Sequence, residues 1–130
     1  MKIKLVILFV LLFSFSLIAQ NNTTRFFIAY ENETLTVDTT AGGVAFDSAK
    51  VTNPSNPVET AQLVTFSVSC ASGTTCNARF TIDTTAPTTT NGILIQYGQI
   101  ISIYQHNNIE NFRAIREGAT SAVLNVQYFR

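Results

Sequence analysis

The chain has 130 residues, of which 46% are hydrophobic, 11% aromatic and 12% charged, and its formal net charge at pH 7 is zero. This length suits one ordinary domain. The low charge argues against a basic nucleic-acid-binding surface and against a solvated coiled coil. The composition is typical of a small globular β protein and does not by itself identify a function.

The first twenty residues read MKIKLVILFVLLFSFSLIAQ. Lys2 and Lys4 precede an apolar segment of about 15 residues, which is the layout of a secretory signal peptide with cleavage after Ala19. A retained transmembrane anchor is the alternative, but it would need about 20 apolar residues. We therefore expect residues 1–19 to be a signal peptide. Residues 20–130 are expected to form one exported domain with no stable membrane anchor after cleavage.

Short strand patterns follow one another through the rest of the chain. The predicted strands are Arg25–Tyr30, Glu33–Thr39, Val44–Val51, Gln62–Cys70, Asn77–Thr84, Ile93–Ile95, Gln99–Tyr104, Phe112–Arg116 and Ala122–Phe129. They are rich in Thr and other β-branched residues, which fit a pleated, half-buried surface. The last two are predicted to pair as a hairpin joined around Gly118. Several short strands separated by turn signals predict an all-β fold, a small antiparallel β-sandwich of jelly-roll or immunoglobulin-like type.

Two cysteines enclose a short loop. Cys70 and Cys76 are separated by five residues and lie at the facing ends of two predicted strands. An exported chain meets an oxidising compartment, so we predict a disulfide that staples these strands as a hairpin, with two free thiols as the alternative. A metal site is not expected, because no second pair of Cys or His residues completes a tetrahedral set.

A six-residue pattern occurs twice. Residues 36–41 read TVDTTA and residues 81–86 read TIDTTA. Asp38 and Asp83 each end a predicted strand, where an Asp side chain can bond a nearby backbone amide and turn the chain. The pattern indicates either similar local turns or a duplicated sheet.

No constellation for catalysis is found. His106 is the only histidine and lies in a polar segment predicted to be a loop, Gln105–Asn108. A Gly-x-Ser-x-Gly element is missing, and the acidic residues are scattered singly rather than paired for acid–base work. We therefore expect no catalytic residue, no cofactor and no enzymatic activity.

Four side chains are candidates for contact with a partner. Tyr97 and Tyr104 stand beside predicted strand ends, where an aromatic ring can face a sugar or a protein. Arg113 and Arg116 fall on opposite faces of one predicted strand, either as charges that protect a sheet edge or as binding residues.

The second half of the chain carries an ordered series of turn and strand signals. They are Ala78, Asp83, Thr85, Pro87, Thr88, Thr90, Gly92, Gly98, Phe112-Arg113-Ala114-Ile115-Arg116, Gly118-Ala119-Thr120, Leu124, Val126 and Tyr128. Together with the segment Thr36–Thr52, this series resembles a group of small proteins encoded by tailed bacteriophages and prophages, over residues 36–130. The chain departs from that group at Thr84, where the group favours Gly, and in its N-terminal signal.

The resemblance implies a shared β-sandwich and a role as a virion-associated or assembly-decorating protein without chemistry of its own. Its partners would be other proteins or further copies of the chain, with no nucleic acid. Because the phage proteins lack a signal peptide, a secreted or cell-surface module that binds a glycan or a host surface is the alternative.

Overall fold

The computed structural model describes residues 25–52, 59–73 and 75–130, so the predicted signal peptide lies outside the described residues. Within these residues there are seven strands: β1 Ala29–Val37, β2 Leu63–Cys70, β3 Asn77–Thr81, β4 Ile93–Gln96, β5 Ile100–Tyr104, β6 Arg113–Glu117 and β7 Ala122–Phe129. Two short helices join them: α1 Ser48–Val51 and α2 His106–Glu110. The all-β prediction is confirmed.

The strands form two antiparallel sheets. One sheet has the order β1-β7-β2-β5 and the other β4-β3-β6. Val44 adds an isolated antiparallel bridge to Ala114 on the outer side of β6, where an eighth strand would lie. The first and last strands, β1 and β7, are neighbours. With Val44 counted as part of the second sheet, the chain also passes repeatedly from one sheet to the other. This is the connectivity of a jelly roll, one of the two sandwich types that the sequence predicts.

Alternation along the strands builds the interior. In β2 the side chains of Val64, Phe66 and Val68 are buried, while the intervening Thr and Ser residues are half-buried on the outer face. In β7 the buried residues are Ala122, Leu124, Val126 and Tyr128. β2 and β7 belong to the four-stranded sheet, and in β3 of the other sheet Ala78 and Phe80 are buried. A strand places successive side chains on opposite faces, so the apolar rows of the two sheets meet in the middle.

Phe46, from the segment between β1 and β2, fills the centre of this interior. Its ring stacks on that of Phe112 with 3.9 Å between centroids. It also meets Phe66 and Tyr128 edge to face, at 6.2 Å and 5.9 Å. A side chain from a connecting segment therefore packs the four-stranded sheet against Phe112, the residue just before β6.

Several predicted elements differ from the observed ones. The predicted strand Val44–Val51 is wrong beyond its first residue, because Asp47 begins α1 by accepting a hydrogen bond from the amide of Ala49. The predicted loop Gln105–Asn108 is wrong after its first residue, because His106 begins α2 and Gln105 is its N-cap. The first two predicted strands are one strand, β1, with an irregularity between Ala29 and Glu31.

The two predicted hairpins at Cys70–Cys76 and around Gly118 are also wrong. β2 pairs with β5 and β7, whereas β3 pairs with β4 and β6. The Cys70–Cys76 disulfide forms as predicted, with 5.6 Å between the Cα atoms. It therefore links the end of one sheet to the start of a strand in the other, rather than closing a hairpin.

Candidate functional site

One side of the sandwich is closed by the chain segment 38–50, here called the closed edge. The backbone of Val44 exchanges two hydrogen bonds with Ala114 of β6, and the amide of Arg116 donates to the carbonyl of Asp38. Over β1, the ammonium of Lys50 donates to the carbonyl of Asn32 and lies 3.8 Å from the carboxylate of Glu31. Both outer strands on this side are thus covered or charged.

The opposite side is uncovered. β5 is the last strand of its sheet and β4 is the last strand of the other, and among the described residues no strand pairs with the outer side of either. The turn Tyr97–Gln99 joins them, so both unpaired strands lie on the same side of the molecule. An unpaired edge presents backbone donors and acceptors that another strand can use.

Large apolar side chains line this uncovered side. We call the surface formed by these residues the open edge: Ile93 (54% exposed), Leu94 (39%), Tyr97 (51%), Ile100 (71%) and Tyr104 (56%). The ring of Phe27 packs edge-on against Tyr104, with 6.2 Å between centroids. Natural edge strands usually carry charges or proline, so an apolar open edge indicates a contact surface.

A groove of about 340 Å³ opens between β4 and β5. Phe80 and Ile103, both 4% exposed, form part of its apolar wall. Polar groups stand along it, including the side chains of Gln105 and Asn108, and the amide of Asn108 donates to the carbonyl of Tyr104. The groove therefore combines an apolar wall with amide groups.

Gln105 has a backbone φ of +73°, and it is the only residue other than glycine with a positive φ in the described part of the chain. Its amide donates to the carbonyl of Gln62, and its carbonyl accepts from Asn108 and Ile109 at the start of α2. Such a conformation costs roughly 1–3 kcal/mol and often occurs at binding sites. The surrounding hydrogen bonds thus hold a strained residue at the groove.

The four predicted contact residues fall on two different sides. Tyr97 and Tyr104 lie on the open edge. Arg113 and Arg116 lie on β6, at the other end of its sheet from β4. One guanidinium nitrogen of Arg113 donates to the carbonyls of Glu110 and Phe112, and that of Arg116 lies 3.4 Å from the hydroxyl of Ser121. A contact role for the two arginines stays a prediction.

Ile93, Leu94 and Ile100 are part of the surface that the sequence reading missed. Each falls in a strand that reads as a core strand by its apolar content, so nothing local shows that the strand ends a sheet. The one sequence feature that could have indicated this surface is an absence of charge, since residues 92–105 contain no charged residue.

The Asp-Thr-Thr turns act as predicted. Asp38 accepts a hydrogen bond from the amide of Thr40, and Asp83 accepts one from the amide of Thr85. The hydrogen bonds from Thr40 also hold the pKa of Asp38 below its ordinary value. Within the described ranges no group of three or more acidic, His or Cys side chains could hold a metal ion.

A buried tyrosine is hydrogen-bonded to a half-buried carboxylate. Tyr128 is fully buried and its hydroxyl donates to the carboxylate of Glu33. Burial, followed by this hydrogen bond, raises the pKa of Tyr128 above its ordinary value of 10.0. Burial also raises the pKa of Tyr30, whose hydroxyl donates to the carbonyl of Lys50 at 2.5 Å. These groups join β1, β7 and α1, so their role is structural.

The fold and the open edge define a small disulfide-linked jelly-roll module with one uncovered side. Comparison of the chain with protein-family models, with curated proteins and with solved structures finds no match. None of the helices in the described residues is long and apolar enough to cross a membrane.

Proposed function

We propose that this protein is an exported, non-enzymatic structural subunit that attaches to a larger protein assembly through its open edge. One observation carries the proposal. Two strands without an outer neighbour and five large exposed apolar side chains lie on the same side of the molecule. Exposed apolar surface of this kind is costly in water and is typical of contact sites. The closed edge, in contrast, is covered and charged.

Two further observations support export of the protein and a phage-type particle as its assembly. The disulfide between Cys70 and Cys76 is compatible with an oxidising compartment outside the cytoplasm, as expected if residues 1–19 direct export. The resemblance of residues 36–130 to small proteins of tailed phages favours a phage-type particle as the assembly. The chain would then decorate or complete such a particle.

The test is co-sedimentation with particles. Particles released by cells that encode the chain are separated on a density gradient, and the protein is located with an antibody. The wild-type chain is expected with the large particles, whereas the double variant Leu94→Lys, Ile100→Lys is expected at the top of the gradient. Thr34→Lys, on an exposed position of β1, is the matched control and should remain with the particles. Wild-type protein found only at the top would contradict the proposal.

Glycan binding is a second candidate, favoured by the groove. An aromatic ring beside amide groups is a common arrangement in sugar sites, and Tyr104 stands at the groove with Gln105 and Asn108. Under this function a glycan array gives a specific signal that Tyr104→Ala abolishes and Tyr97→Ala retains, because Tyr97 is not among the residues lining the groove. A blank array for the folded wild-type chain rules this candidate out.

A further inference from the structure

Strand β5 of the open edge is almost symmetric in sequence. Residues 99–105 read Gln-Ile-Ile-Ser-Ile-Tyr-Gln, which is nearly the same in both directions about Ser102. Two antiparallel copies centred there place Ile101 opposite Ile103, and Ile100 opposite Tyr104. We propose that a second copy of this chain pairs with β5 across a two-fold axis at Ser102. This inference rests on the proposed function and names one partner of the open edge.

The backbone geometry of β5 fits this register. Toward β2, the amide of Gln105 donates to Gln62, and the carbonyl of Gln99 accepts from Val68. Backbone groups alternate in direction along an antiparallel strand, so those of Ile100, Ser102 and Tyr104 point away from β2. The proposed register opposes these same residues, so about six N–H to C=O hydrogen bonds can form between the copies.

Charge and area also favour a second copy. Residues 99–105 carry no charge, so two identical strands do not repel each other, and the chain contains no proline there to block pairing. The five side chains of the open edge present roughly 500 Å² per copy, taking about 200 Å² for each when fully exposed, or about 1,000 Å² for a pair. An area of about 1,000 Å² suits a weak biological interface, which agrees with a dimer that dissociates on dilution. An isologous contact uses the same patch twice, which a nearly symmetric strand satisfies.

The closed edge does not offer such a contact. Its outer strand β1 carries Glu31 and Glu33, and Lys50 already binds there. Two copies meeting on that side would bring like charges together and would have to displace the covering segment. The two-fold contact is therefore assigned to β5.

Sedimentation of the exported chain tests the proposal. At about 100 µM the wild type is expected to be a dimer that dissociates on dilution. Ser102→Pro removes a donor that faces away from β2, so the fold is kept, and the dissociation constant is expected to rise about tenfold or more. Thr34→Lys is the control and should dimerise like the wild type. The circular dichroism spectrum confirms the fold of each variant. A wild-type chain that stays monomeric, or a Ser102→Pro variant that dimerises normally, overturns the proposal.

Cross-linking tests the register. A directly opposed, hydrogen-bonded pair has Cα atoms about 5.5 Å apart, which suits a disulfide. Ser102→Cys should therefore give a covalent dimer through Cys at position 102 on mild oxidation, as read by peptide mapping. Gln127→Cys, exposed on the central strand β7, should not. Dimers that lack this link overturn the two-fold register.

These outcomes separate the two proposals. If the wild type is monomeric yet co-sediments with particles through the open edge, the inference fails and the proposed function holds. If the dimer forms but no particle carries the chain, the proposed function fails and the inference holds.

Discussion

The hydroxyl of Tyr128 shows how a single polar atom is accommodated inside an apolar interior. Its donation to Glu33 satisfies the hydroxyl and ties β7 to β1, and the same carboxylate oxygen lies 3.3 Å from the amide of Asp47. Sequence alternation correctly places Tyr128 inward, but it cannot identify the partner. Glu33 is ninety-five positions away along the chain, so only the strand order brings the two groups together.

This buried phenol predicts a loss of stability at high pH. The unfolded chain releases the Tyr128 proton near pH 10.0, whereas the folded chain retains it because burial raises its pKa. The folded state then binds more protons, so the free energy of unfolding falls by up to about 1.4 kcal/mol per pH unit above pH 10. Guanidinium denaturation between pH 8 and pH 11 should show this slope, reduced in Tyr128→Phe. Burial also raises the pKa of Tyr30, so Tyr30 adds to the slope in both proteins. Equal slopes in both proteins would contradict this role of Tyr128.

Gly92 has a second constraint besides its φ of +113°. A Cβ at this position would lie 2.9 Å from the carbonyl oxygen of Phe80, on rigid strand backbone. Gly92→Ala is therefore expected to cost about 3 kcal/mol, combining left-handed strain with a clash. Gly98→Ala, at φ +81° with no atom near the new Cβ, is the matched control and should cost only about 1 kcal/mol. Thermal or chemical unfolding of the pair measures both, and equal costs would refute the close contact.

At the scale of secondary-structure elements, the sequence predicts the positions of strands well and their pairing badly. The alternation in β2 and β7 is strong enough to give their positions and inward faces. Alternation does not say which sheet a strand joins, so the turns at Gly73 and Gly118 read as hairpins although each connects strands of different sheets. A helix of four or five residues such as α1 or α2 has too few positions to show a helical period.

The open edge was predictable only in part, because alternation does not show whether a strand lies at the edge of its sheet. The sequence indicates that Tyr97 and Tyr104 are candidates for contact, because tyrosines beside turns are commonly accessible. It cannot indicate that Ile93 and Ile100 are exposed, because an apolar residue in a strand is usually inside. Their exposure follows from the strand order, which leaves both strands without an outer neighbour.

The disulfide gives a prediction at the level of elements. Its loop is short, so removing it with Cys70→Ala and Cys76→Ala relaxes the unfolded chain only modestly, and we expect a loss of about 2 kcal/mol. Because the link joins two sheets, the double variant should still fold with the same far-ultraviolet spectrum. Guanidinium unfolding of the oxidised wild type and the variant gives the difference. An equal free energy of unfolding for the variant and the wild type would show that the disulfide does not stabilise the protein by restricting the unfolded chain.

The molecule as a whole depends on a small aromatic centre shared by both sheets. Phe66 belongs to one sheet, Phe80 to the other, and their rings meet edge to face with 6.2 Å between centroids. Phe46 and Phe112 complete the cluster from connecting segments. The sequence places Phe66 and Phe80 inside by alternation, and it places Phe46 in a strand, which is wrong in detail but correct in that the side chain is buried.

Loss of that centre should affect the entire fold. Phe46→Ala removes a ring that contacts Phe66, Phe112 and Tyr128 and leaves a cavity, so we expect a cost of about 3–5 kcal/mol. Phe26→Ala, at a position 84% exposed, is the control and should change stability by less than about 0.5 kcal/mol. Calorimetry of the two variants measures the contrast. Comparable melting temperatures for both would show that the cluster is not the centre of the interior.

The segment 38–50, which lies against β1 and β6, affects how many copies of the chain can associate edge to edge. A sandwich with bare strands on both flanks could recruit copy after copy and extend into a fibre. Here one flank is covered by the segment 38–50, so two copies that pair through β5 have no second bare flank of the same kind on which to continue. If the open edge binds a second copy as proposed, association is expected to stop at a pair rather than to extend into a fibre.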